Sequence, residues 1–214
     1  MNNILLFNGG GLNFFWYLGF INSIEKDYLE NYKFYGYSGG IIAFVLYLCN
    51  IKLEKIFDKF NKLEEFNLKY ILNNLEKLLE DVLPDNCHEI CNNKLNIIYW
   101  EIRKGCKIKN QFKDKKELIE YASITSKLPF TFKNIKEIYN SFRMDPLYIN
   151  FEKLGIKYDN IININFTMDN NCSVFDSFYV YSDFKEYLKK YFDGYKFGLD
   201  KIVYDNNLLC FKLS

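Results

Sequence analysis

The chain has 214 residues, 49% hydrophobic, 26% charged and 19% aromatic. That is enough for one domain with a full core, and it excludes a disordered or collagen-like chain. Twenty-eight basic and 27 acidic residues nearly cancel, so charge gives no reason to expect a nucleic-acid partner, and a single histidine, His88, narrows the acid–base chemistry available.

The start, Met1 to Phe7, has no basic residue ahead of its apolar run and no small-residue cleavage site, so no signal peptide is expected. Ile4 to Phe7 predicts a buried strand ended by Gly9-Gly10-Gly11. Leu12 to about Lys26 predicts a helix that is apolar nearly all round. Lys33 to Gly36 predicts a second strand, Tyr37-Ser38-Gly39-Gly40 a turn, and Ile41 to Cys49 a buried helix. That last stretch is the longest uncharged, strongly apolar one, far below the ~20 residues of a membrane span. The expectation is a soluble, cytoplasmic protein that touches membranes only peripherally.

Leu53 to Leu63 and Leu68 to Val82 repeat apolar residues at three and four, predicting two amphipathic helices. They either pack on the body or form a lid or membrane-facing cap. Cys87-His88-Glu89-Ile90-Cys91 lacks a second ligand pair at metal spacing and reads as a thiol-bearing surface turn. With Cys49, Cys106, Cys172 and Cys210 these scattered cysteines suggest reduced thiols. No metal and no cofactor is expected.

Leu95 to Ile102 and Cys106 to Phe112 predict a hairpin turning at Lys104-Gly105. Lys115 to Ser126 predicts a helix stopping before Pro129. Ile161 to Phe166 predicts a strand. Ser182 to Phe192 predicts a helix ending near Gly194, with a last helix over Leu199 to Tyr204. Neither repeat nor linker interrupts the series, so residues 1–214 read as one α/β domain.

Chemistry concentrates in two glycine elements. Asn8-Gly9-Gly10-Gly11 follows the first strand and opens a helix; Gly36-Tyr37-Ser38-Gly39-Gly40 follows the second and opens another. The latter fits G-x-S-x-G, the nucleophile elbow. Chance supplies roughly 0.02 such matches for this composition. Gly36 and Gly40 flank the turn that holds the Ser38 hydroxyl at a helix amino end, where the partial positive charge favours a developing alkoxide. The bare amides of Gly9, Gly10 and Gly11 suit a backbone oxyanion hole. A Rossmann fingerprint from Gly9 needs glycine at Phe14, and a P-loop needs Gly-Lys-Ser/Thr, which is absent. Phe14, Phe15, Trp16 and Tyr17 beside the loop either line an acyl channel or fill core.

A Ser-His-Asp triad in α/β-hydrolase order needs a late histidine, and none follows His88. A carboxylate acting directly on Ser38 is the remaining base; burial raises its ordinary pKa of about 3.9 toward operating pH.

These residues resemble the patatin-like phospholipases, especially the adiponutrin-like branch. Phe7-Asn8-Gly9-Gly10-Gly11 through Gly19 is similar to the family's glycine-rich loop and helix. Gly36-Tyr37-Ser38-Gly39-Gly40 matches its elbow. Leu118 through Phe130 resembles the stretch before its catalytic Asp, and Asp193-Gly194-Tyr195-Lys196-Phe197-Gly198 resembles a C-terminal helix. The resemblance implies a three-layer α/β fold with a mostly parallel central sheet flanked by helices. It implies a Ser-Asp dyad that hydrolyses phospholipid or acylglycerol esters without a metal, at a membrane or lipid-droplet surface. Asp145 is the best-placed acid, with Asp159 and Asp169 behind it. Pro146 stands where the family has Gly, which raises a second reading: a lipid-binding protein that has lost the dyad. Acyl transfer by the same acyl-enzyme is a third.

Overall fold

The computed structural model describes residues 2–60, 68–102, 104–126, 143–144, 146, 154–166 and 184–204. Strand β1 (Asn3–Phe7) lies between β2 (Tyr32–Gly36) and β6 (Asn160–Ile164), parallel to both. β2 runs parallel to β3 (Leu95–Glu101), which pairs antiparallel with β4 (Gly105–Lys109). The order is β4-β3-β2-β1-β6, and a short β5 (Arg143–Met144) also pairs with β3.

Both faces of this sheet are covered, which is why its strands read as apolar runs rather than clean alternations. Leu5, Phe7, Phe34, Ile97 and Ile164 join the main core with the helices. Ile4, Leu6, Tyr35 and Ile98 pack on the opposite face.

The helix predicted from Leu12 is broken. A 3-10 turn (Gly11–Asn13) leads into α1 (Phe14–Asn22), and a separate short α2 covers Lys26–Leu29. The break falls where the Ser23 hydroxyl donates to the Phe20 carbonyl and its amide is shared between Gly19 and Phe20. Phe14 through Ile21 are all buried. Phe15 stacks on Phe57 and meets Phe60 edge-on, so the aromatic run fills core.

Helix α3 (Gly39–Leu48) starts two residues earlier than its apolar run suggests. It ends in a left-handed Asn50 (φ 52°), with Ile51 N–H donating to Leu46 and Asn50 N–H to Tyr47. The amphipathic pair is α4 (Leu53–Phe60) and α5 (Leu68–Val82), both contributing to the main core. The cysteine pair lies in a short helix, α6 (Cys87–Cys91), not a surface turn: spacing of four puts both thiols on one face, and both are fully buried. α7 spans Lys115–Ile124, capped by the Asp114 carboxylate accepting from Glu117 N–H at 2.7 Å.

The largest departure is at the C-terminal side. Gly194 does not stop a helix; α8 runs unbroken over Phe184–Tyr204. Its glycines are contact points. A Cβ on Gly194 would stand 2.0 Å from the Trp16 carbonyl oxygen, and one on Gly19 would stand 1.9 Å from that of Tyr191. α1 and α8 press backbone to backbone there. Ser182, the predicted helix start, lies outside the described residues.

Candidate active site

The two glycine elements meet at the carboxyl edge of the parallel strands. Phe7 pairs with Gly36 in register, so the loop after β1 and the turn after β2 leave the sheet side by side. Phe7 stacks on Phe44 of α3 at 4.1 Å and on Tyr17 of α1 at 4.7 Å, tying both helices to the end of β1. A Cβ on Gly40 would lie 2.7 Å from the Phe7 Cβ, and one on Gly39 would lie 2.2 Å from the Gly11 carbonyl oxygen. No side chain fits between elbow and loop at those points.

Ser38 is the N-cap residue of α3, at φ 53° and ψ −136°, and is 5% exposed. Its hydroxyl does not cap the helix. The backbone of the turn is bonded: Gly40 N–H donates to Tyr37 and Ile41 N–H to Ser38. Ser38 N–H donates to the Thr125 hydroxyl at 3.2 Å, and that hydroxyl donates to the Ile98 carbonyl at 2.7 Å. Thr125 is fully buried.

The loop is fixed at both ends. Asn8 N–H donates to Ile164, the Asn8 amide side chain donates to Asn163 at 2.6 Å, and Asn13 N–H donates to Gly10. Gly10 takes φ 103°, open to glycine at little cost, and a Cβ there would stand 2.6 Å from the Tyr17 ring. The amides of Gly9, Gly10, Gly11 and Gly39 make no hydrogen bond among the described residues. Gly39 is a candidate that composition and spacing do not single out; its place after the serine in a G-x-S-x-G turn is the signal that points to its amide.

Asp145 and Asp169 lie outside the described residues. Asp159 accepts from Asn2 N–H at 2.6 Å, at the start of β1 and β6. Five strand residues, about 16 Å, separate it from the elbow's edge, so Asp159 is not a partner of Ser38. His88 is equally remote. Its helix packs at the Cys49 end of α3, about 16 Å along the axis from Ser38.

β5 brings the chain back to this edge. At Trp100 and Glu101 one side of β3 is taken by β4. Met144 and Arg143 therefore pair along the other side, the one β2 uses as far as Ile97. Met144 thus sits beyond the end of β2, where Tyr37 and Ser38 turn into α3.

The profile of the patatin-like phospholipase family matches residues 5–158. The chain belongs to the patatin-like phospholipase family. No curated protein matches it. The patatin-like match takes in both glycine elements and Asp145, and the mostly parallel α/β sheet agrees with that family's three-layer fold. As a patatin-like phospholipase the chain is a member of a lipid acyl-hydrolase family. Among the described residues no helix is long and apolar enough to cross a membrane.

Proposed function

We propose that this protein is a serine acyl-hydrolase acting on phospholipid or acylglycerol esters, with Ser38 as nucleophile and Asp145 as base, nearest the adiponutrin-like branch. The observation that carries the reading is the close approach of the Ser38 elbow to the glycine loop, at Gly39 against Gly11 and Gly40 against Phe7, beside four amides with no hydrogen bond among the described residues. The position of Met144 beyond the end of β2 supports Asp145, the next residue, as the acid.

In this mechanism Ser38 Oγ bonds to the ester carbonyl carbon while its proton passes to the Asp145 carboxylate. The carbonyl oxygen becomes an oxyanion held by the amides of Gly9, Gly10, Gly11 and Gly39, each worth about 3 kcal/mol in the transition state. Collapse breaks the bond to the leaving alcohol, which takes the proton from Asp145. Water then attacks the acyl-Ser38 ester, gives its proton to Asp145, and the released serine recovers it. Residues 1–214 act as one unit in this proposal: β6 completes the sheet beside β1, and α8 covers α1. Work is done at a membrane or lipid-droplet surface, from the cytoplasmic side.

Pro146 motivates the second reading, a lipid-binding protein with an idle site, because proline fixes φ near −65° directly after the acid. A fluorophosphonate probe with p-nitrophenyl butyrate and phosphatidylcholine vesicles separates the two. The purified wild type is expected to take label on Ser38 and to release fatty acid; Ser38→Ala abolishes both, and Asp145→Asn slows both. A folded Ser38→Ala variant with wild-type turnover overturns the enzyme reading. A wild type that accepts neither label nor substrate favours the idle site.

A further inference from the structure

We infer that Thr125 is a positioning residue for the nucleophile: its hydroxyl holds the Ser38 peptide in its positive-φ conformation at the elbow, beside the glycine loop. The inference rests on the hydrolase reading for its catalytic consequence, but not for its geometry. Ser38 adopts a φ of 53°, which a residue with a Cβ keeps only when its surroundings over-determine it. Thr125 is the side chain that grips this peptide: it accepts from Ser38 N–H at 3.2 Å and donates to Ile98 at 2.7 Å. Donation to Ile98 orients the hydroxyl, leaving its lone pairs toward the serine amide.

Ile98 lies on β3 between the residues paired with β2 and those paired with β5. One buried hydroxyl therefore joins the elbow, strand β3 and the end of α7. It also engages the Ser38 amide itself. The oxyanion must then draw on the glycine loop and Gly39, not on the nucleophile's own N–H.

The test compares the full chain as wild type, Thr125→Val and Thr125→Ser. Valine keeps the shape and loses both bonds; serine keeps the hydroxyl. In Thr125→Val, hydrogen exchange at the Ser38 amide is expected to accelerate at least tenfold relative to its neighbours in α3. The kcat for p-nitrophenyl butyrate, per site finally labelled by fluorophosphonate, is expected to fall about 10- to 100-fold with KM unmoved, as for a misaimed group. Thr125→Ser recovers most of both. A threonine that serves packing alone gives a lower Tm and fewer labelled molecules, with unchanged kcat per labelled site; that result overturns the inference. If the wild type hydrolyses nothing, the enzyme reading falls, and the exchange arm still decides: unchanged Ser38 protection in Thr125→Val removes the clamp.

Discussion

Ser38 combines two costs, a left-handed φ and a nearly complete loss of exposure. A backbone outlier of this kind costs about 1–3 kcal/mol and persists because Gly39 and Gly40 let the neighbouring peptides close against Gly11 and Phe7. The site is therefore sensitive to a single methyl group. Gly39→Ala puts a Cβ 2.2 Å from the Gly11 carbonyl oxygen, so the loop must retreat from the serine. The expected outcome is a loss of about 100-fold in fluorophosphonate labelling rate with near-native near-UV circular dichroism; wild-type labelling would show that loop and elbow do not act together. At this scale the sequence is legible where function needs absent side chains, since a glycine is visible as a letter. Thr125 was not legible. It is 87 residues from Ser38, and a threonine closing a helix looks like any other C-terminal residue. Asp145 stands out only through family resemblance, because an Asp-Pro pair by itself reads as an ordinary turn.

The helices show the limit of local signals. Gly194 reads as a helix stop, and α8 passes straight through it. What decides is a neighbour out of local view: α1 is apolar on all sides and needs a partner, and glycines let the two backbones meet. Gly194→Ala tests this directly. In an exposed helix the change gains up to about 1 kcal/mol from propensity. Here the added Cβ lies 2.0 Å from the Trp16 carbonyl oxygen, and overpacking of about 1–3 kcal/mol dominates. Denaturant midpoints should place Gly194→Ala well below wild type and exposed Asp193→Ala close to it. A more stable Gly194→Ala would mean that the helices stand further apart. The sequence leaves the amphipathic pair α4 and α5 open between cap and body; Ile56, Phe60, Leu79 and Val82 are buried in the main core, so these faces pack inward.

Across the molecule, strands were easier to find than their order. Apolar runs mark β1, β2, β3 and β6, but the placement of β6 beside β1 depends on residues 157 positions apart, Asn3 and Asn160. The buried thiols give the whole fold an alkaline limit. Burial pushes Cys87 up to about 11 from an ordinary 9.0, and Cys91 is raised by its bond with Cys49 and by burial. The folded chain keeps the Cys87 proton where the unfolded chain loses it. The stability this group contributes is complete below pH 9 and drains away as pH rises toward 11. Chemical denaturation from pH 8 to 11 should show a falling midpoint, with a shallower fall in Cys87→Ala; equal slopes would assign the loss to other groups, such as the buried Tyr32 phenol, also raised by burial. The late arrival of β6 and α8 has a consequence for synthesis. Until residues 160–204 leave the ribosome, β1 lacks one neighbour and α1 shows its glycine-bearing face to water. From the completion of α1 until α8 emerges the nascent chain carries an adhesive surface, and it is in that interval that a holding chaperone has something to grasp.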